Sequence, residues 1–268
     1  MDIARNPEMA DAAAAPEPQL IRREDYKPFA WRLPQTAMNF ALGLERSRIV
    51  STLTVERNDT AEPDQLLRLN GDGLTPLVVR IDGEETAEWT LDGGVLVLSL
   101  FQAKAVIETE VEIAPAANTQ LMGLYASGGL LCTQCEAEGF RRITFFPDRP
   151  DVLSRYTVRM AADKAAYPVL LSNGDMTASG DLDGGRHWAE WTDPFFKPSY
   201  LFALVAGDLA ANRDSFTTLS GKTVDLAIWV AESDLPRTHH AMDALKASMK
   251  WDEDVYGREY DLGQFNIV

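Results

Sequence analysis

Two cysteines, Cys132 and Cys135, are the only ones in the 268 residues, and they stand at the C-x-x-C spacing. That spacing admits three readings: a zinc half-site, a redox dithiol, or two reduced thiols packed in a small-residue loop. Structural zinc wants four ligands, and the chain offers no second pair and only His187, His239 and His240. On a helix the adjacent His239 and His240 would point about 100° apart and could not share a metal as i and i+4 residues do. A redox pair needs its first thiol at a helix N-terminus within a βαβ unit, which lowers the thiol pKa. The surroundings here read as β-rich, and Glu136 next to Cys135 is expected to raise a thiol pKa. The pattern therefore favours packed, reduced thiols.

The carboxylates Glu136 and Glu138 lie two residues apart. They would share a face on a strand but need not in a loop, and by themselves they read as solvent-facing. Acid–base work would require perturbed pKa values and a substrate-sized gap, neither of which spacing reveals. Trp188 and Trp191 could form a sugar-binding platform, but a separation of three puts them on opposite faces of a strand, which favours core packing. The chain contains no G-x-G-x-x-G, Walker loop, G-x-S-x-G or H-E-x-x-H motif. It carries no self-sufficient catalytic set.

The elements that must position these residues read as strands. From Lys104 to Ile113, Ala105, Ile107, Thr109, Val111 and Ile113 alternate with Val106, Glu108, Glu110 and Glu112, the period-2 mark of a half-buried strand. Further strands are expected over 76–81, 95–101, 143–146, 156–160, 168–172, 187–192 and 200–205. Asp82-Gly83, Asp92-Gly-Gly94, Asn173-Gly174 and Asp183-Gly-Gly185 supply turns between them. The expected fold is mainly β: an N-terminal domain of packed antiparallel sheets, sandwich- or saddle-like, over residues 23–208. Residues 1–22, rich in Ala, Pro and Glu, read as a disordered leader.

After about residue 209 the texture becomes mixed. A strand-like run over 224–230 precedes Pro236 and a helical stretch from Thr238 to Tyr256, with Met242, Leu245, Met249 and Tyr256 near one face and Gly257 as a stop. This is expected to open an α/β domain, over 209–268, that is cut short inside an apolar run, so the chain reads as a fragment.

A formal charge of -16 argues against nucleic acid or anionic membrane as partners, because phosphate contacts need clustered Lys and Arg. It suits solubility and would, secondarily, attract cationic ligands. No apolar run approaches the roughly 18 residues of a membrane helix. The N-terminus lacks a signal-peptide pattern, and with so few cysteines a cytoplasmic location is expected.

Several longer segments add a resemblance. Thr133-Gln-Cys-Glu-Ala-Glu-Gly-Phe-Arg-Arg142 runs on to Pro147-Asp-Arg-Pro-Asp151, within a stretch spanning 123–152. It is followed by Tyr167-Pro-Val-Leu-Leu-Ser-Asn-Gly-Asp175, Asp193-Pro-Phe-Phe-Lys-Pro198, Tyr200-Leu-Phe-Ala-Leu-Val-Ala-Gly-Asp208 and Ser248-Met-Lys-Trp-Asp-Glu253. In this order they closely resemble the aminopeptidase N (bacterial alanyl aminopeptidase) family of zinc metallopeptidases, from about residue 25 onward. The resemblance implies an N-terminal β-domain leading into a thermolysin-like catalytic domain, with Gln134 and Glu136 reaching the active site to bind the α-amine of peptide substrates. It gives Glu138 no such role. The family's G-x-M-E-N and H-E-x-x-H motifs, its downstream Glu ligand and its transition-state Tyr are absent here, because in the family they lie beyond the point corresponding to Val268. Zinc is thus expected only in a full-length parent, where the remainder of the catalytic domain would be this chain's partner, and the chain alone is expected to be inactive. The rival reading is a stand-alone β-sandwich binding module derived from the same domain.

Overall fold

The computed structural model describes residues 22–268, so all but the last residue of the expected leader lies outside the described residues. The strands are β1 (Trp31–Ala41), β2 (Ser47–Arg57), β3 (Leu66–Asn70), β4 (Val78–Ile81), β5 (Glu84–Glu85), β6 (Trp89–Asp92), β7 (Val95–Ser99), β8 (Lys104–Ile113) and β9 (Gly123–Ser127). They continue with β10 (Leu130–Gln134), β11 (Leu153–Asp163), β12 (Val169–Ser172), β13 (Asp175–Leu182), β14 (Arg186–Pro198), β15 (Leu204–Gly207), β16 (Ala210–Thr217), β17 (Thr223–Val230) and β18 (Gln264–Ile267). One α-helix, α1 (His239–Tyr256), lies between the last two.

Three sheets make the β-rich part, with strand orders β13-β14-β11-β1-β2-β8-β4-β5, β12-β15-β10-β9 and β3-β7-β6. Pairing within them is antiparallel except between β1 and β11. The alternation expected of β8 is present: Ala105, Ile107, Thr109 and Val111 are buried while Lys104, Val106 and Glu112 are exposed. Glu110 departs from it, buried and ion-paired to Arg48 at 2.6 Å. Where the sheets meet, Phe140 packs edge-on against Phe146, Tyr156 and Phe202 with ring centroids 4.9, 6.1 and 5.1 Å apart. Edge-to-face contacts of this kind add about 0.5–1.5 kcal/mol each beyond simple area burial.

Two strand expectations are corrected. Residues 143–146 form no strand but an irregular run after the 3-10 turn Phe140–Arg142, touching β3 through one isolated Asn70–Phe146 bridge. All four side chains are fully buried, so the apolar run reports burial rather than extended pairing. The strand expected at 200–205 begins only at Leu204, because Ser199–Leu201 make a 3-10 turn after Pro198.

Beyond β15, β16, β17 and β18 form a separate three-stranded sheet, with β17 and β18 parallel and joined through α1. One face of it, Val224, Leu226 and Ile228, packs with Met242, Leu245 and Met249 of α1 in a second hydrophobic cluster. Gly257 ends the helix in the left-handed conformation (φ 61°), a geometry that favours glycine. Tyr256, expected on the buried face, is exposed. Glu253 is buried in its place, where its carboxylate accepts the Leu219 N–H at 3.1 Å.

Candidate functional site

The Gln134–Glu136 segment is presented by the β9–β10 hairpin. Gly128 and Gly129 close it with positive φ at both positions (57° and 87°), the conformation of a tight hairpin turn. β10 is held on its other edge by β15, through the pairs Leu131–Ala206 and Cys132–Val205. Thr133 fastens the same edge, its Oγ1 accepting the Leu204 N–H at 2.8 Å.

At the end of β10 the side chains alternate: Gln134 is exposed, Cys135 buried and Glu136 exposed. The inward thiol fixes the outward direction of its two neighbours. Gln134 Nε2 donates to the Glu136 carbonyl at 3.1 Å, so the pair is bound together through side chain and backbone. The peptide between Glu136 and Ala137 is cis. Gly139 N–H then donates to the Cys135 carbonyl at 2.8 Å and closes the turn.

This turn sits where only glycine fits. A Cβ on Gly139 would lie 2.3 Å from the Gln134 carbonyl oxygen and 3.0 Å from the Gly123 nitrogen, well inside contact distance. Gly123, opposite Gln134 in the hairpin register, has φ 76° and a similarly crowded position against Arg142. Backbone packed this closely holds the turn against the core.

Below the turn, Asp148 accepts the Arg141 backbone N–H and Nε–H, both at 3.1 Å, and its own carbonyl accepts Arg141 Nη2 at 2.9 Å. Ser199 Oγ donates to the other carboxylate oxygen. Arg141 also reaches out to Glu138 at 3.3 Å. Glu136 and Glu138 therefore differ: both lie in the turn and are exposed, but only Glu138 is tied to an arginine.

The cysteines are free thiols. Cys132 lies on β10 rather than in a loop, and Cys135 is 2% exposed. Burial, with a smaller contribution from the Asp148 charge, pushes the Cys135 thiol well above its ordinary range. The direction matches the sequence reading but the cause is not Glu136, which points away. A thiol held neutral is the reverse of what nucleophilic or redox chemistry requires.

Trp188 and Trp191 take opposite faces of β14, as their spacing implies. Trp191 is in the core and donates Nε1–H to the Leu170 carbonyl at 3.1 Å. Trp188 is only half-buried, capped by the Arg159 guanidinium 3.5 Å from its ring centroid, so core packing does not describe it.

Among the described residues no group of three or more His, Cys, Asp or Glu side chains is placed to hold a metal ion. His239 and His240 are exposed in the first turn of α1, and a His187 ring nitrogen lies 2.7 Å from the Tyr167 carbonyl. A cavity of about 1250 Å³ opens beside Glu138, Arg141 and Asp148, but neither Gln134 nor Glu136 lines it. No helix of the described residues is long and apolar enough to cross a membrane.

Residues 80–201 match the family model described as the Peptidase M1 N-terminal domain. The chain is 52% identical over 253 residues to aminopeptidase N of Caulobacter vibrioides and 47% identical over 252 residues to aminopeptidase N of Escherichia coli. Both matches cover 94% of this chain and 29% of the relative, so the chain spans under a third of their length. Among solved structures it superposes on Legionella pneumophila aminopeptidase A, solved with aspartic acid, with a TM-score of 0.85 and 31% identity over 91% of this chain and 29% of that one. An M1 zinc metallopeptidase from Deinococcus radiodurans, solved with a Tyr-Ser-Ala substrate, shares the fold at a TM-score of 0.72 and 17% identity, over 88% of this chain and 56% of that one. The long ordered motifs, the β-rich architecture and these matches agree: the chain is similar to the N-terminal portion of aminopeptidase N, and residues 80–201 match the Peptidase M1 N-terminal domain.

Proposed function

We propose that this chain supplies the β-domain, over residues 23–208, and the start of a thermolysin-like catalytic domain, over 209–268, of a cytoplasmic zinc aminopeptidase that removes single residues from peptide N-termini. Within it, Gln134 and Glu136 bind the substrate's free α-amine. The observation that carries this reading is the outward pair Gln134 and Glu136 on a rigidly held turn, in a chain similar to aminopeptidases over 94% of its length. That similarity favours the enzyme over a stand-alone binding module.

The chemistry suits the residues. A peptide α-ammonium has a pKa near 8 and is largely protonated at pH 7. A carboxylate that receives it makes a charge-assisted hydrogen bond worth about 1.5–3 kcal/mol. Fixing the ammonium also fixes how far the first peptide bond lies from it, which selects one-residue cleavage. The described residues leave Glu136 exposed, so the covering that would strengthen this bond comes from the remainder of the enzyme.

The residues present do not fit zinc. Among the described residues His187 lies on β14 while the adjacent His239 and His240 lie on α1, one thiol is buried and held neutral, and no ligand cluster forms. Zinc, which would supply an activated water in the whole enzyme, belongs to the remainder, and this chain alone is inactive. The test compares Glu136→Gln with Cys135→Ser in the full-length enzyme. The first lowers kcat/KM for free-amine substrates by about tenfold or more, and the second far less. Equal, small effects would overturn the role of Glu136.

A further inference from the structure

We propose that Asp148 and Arg141 are positioning residues for amine recognition: their part-buried ion pair sets where the turn holds Gln134 and Glu136. The inference rests on the role given above to those two residues.

Asp148 is 2% exposed and sits at a junction of sheets. Its N–H donates to Asn70 Oδ1, at the end of β3, at 3.3 Å. One carboxylate oxygen takes the Ser199 hydroxyl, just past β14, and the other takes Arg141, in the 3-10 turn that follows β10 and the Glu136 turn. One residue, through its backbone N–H and its carboxylate, thus refers the turn to two other sheets. Arg141 extends the linkage outward to Glu138, two residues from Glu136. Two further ties are internal to the turn: Gly139 to Cys135, and Gln134 to Glu136. They shape the turn, the close backbone packing at Gly139 and Gly123 presses it on the core, and Asp72 meets its far end through the Arg141 carbonyl at 2.9 Å. Arg141 with Asp148 adds the side-chain link that orients it on the large sheet.

A buried ion pair is weak evidence for stability, since its desolvation cost offsets much of the attraction. What a guanidinium that grips one residue at both its carboxylate and its backbone carbonyl supplies is geometry, because the planar donor group makes two directed bonds at once. Geometry matters at a site whose ligand is a point charge.

The test uses the full-length enzyme and a peptide substrate with a free amine. Arg141→Lys and Asp148→Asn each raise KM about tenfold while kcat stays within about twofold, as loss of binding common to ground and transition state requires. Combined with Glu136→Gln, neither adds to the cost of Glu136→Gln alone, because each acts through that carboxylate. A purely structural role gives the opposite result: kcat falls with the folded fraction, KM holds, and the effects multiply. That result overturns the proposal, as does an unchanged KM in both variants. If Asp148→Asn does not fold, Arg141→Lys decides, since it keeps the charge and lies nearer the surface. In the chain alone, hydrogen exchange at the Gly139 and Arg141 amides quickens in Arg141→Lys while amides in β15 hold, and equal rates count against it. Failure of the amine reading is distinguishable, because there Glu136→Gln itself leaves KM and kcat unchanged.

Discussion

Both carboxylate oxygens of Asp175 accept the backbone N–H of Gly263, at 2.9 and 3.0 Å, and one of them also accepts that of Gln264 at 2.9 Å. Asp175 opens β13 at the edge of the eight-stranded sheet, and Gln264 opens β18 of the small sheet. The contact is reciprocal, since Gln264 Oε1 accepts the Met176 N–H at 3.2 Å. The two hydrophobic clusters are thus joined by a polar clasp at the point where α1 hands the chain to β18.

Replacing Asp175 by Ala leaves these N–H groups without their acceptor, and hydrogen bonds to charged groups are worth about 1.5–3 kcal/mol. The expected outcome is a loss of that order, concentrated in β18 and α1. Native-state hydrogen exchange checks it: amides of β17, β18 and α1 open at lower free energy while those of β1 and β2 keep theirs. Uniform acceleration across the chain would show that the clasp does not act locally.

The two thiols should part company chemically. Cys132 is half-buried on β10, whereas Cys135 is sealed in and its thiol pushed up by burial and then by Asp148. An alkylating reagent at neutral pH is expected to label one thiol per folded chain at once and the second only on unfolding. A group whose folded pKa is raised favours folding while it stays protonated, and that advantage is lost as pH climbs above its unfolded value, about 8.5 for a thiol. Stability should therefore fall on the alkaline side, and less steeply in Cys135→Val. Rapid labelling of both thiols, or a native disulfide between them, would restore the redox reading.

Legibility in the sequence followed how local each feature is. The alternation of β8 and the spacing of Met242, Leu245 and Met249 report one face of one element, and both faces lie where the sequence puts them. β1 and β2, the centre of the large sheet, do not stand out. The β1 register shifts between Arg32 and Gln35, around Pro34, which breaks its period. Ser47 and Ser51 occupy buried positions of β2 and dilute its apolar face.

At the candidate site, the C-x-x-C spacing drew attention to sulfurs that the fold turns away from chemistry. Gln134 and Glu136 took their roles from family resemblance, since nothing in their types or spacing separates them from surface residues. Asp148 was not legible at all. Between Pro147 and Arg149 it reads as a turn residue, and its partners Ser199 and Asn70 lie 51 and 78 residues away. Only tertiary structure brings them together.

Gly139 provides the sharpest test of how tightly the site is built. Its φ of -84° is open to any residue, so no backbone strain demands glycine there. The demand is steric: a Cβ would meet the Gln134 carbonyl oxygen at 2.3 Å and the Cys135 Cα at 3.1 Å, both backbone atoms that cannot swing aside. Gly139→Ala must therefore push the turn off β10 or move the hairpin, and overpacking of this kind costs about 1–3 kcal/mol. Gly128→Ala has open space for its Cβ and is charged only for its φ of 57°. Denaturant unfolding of the two variants should show the larger loss at Gly139, along with faster exchange of the Gly139 amide. An alanine accepted at position 139 without either change would mean that the Gln134–Glu136 turn is not held by close backbone packing.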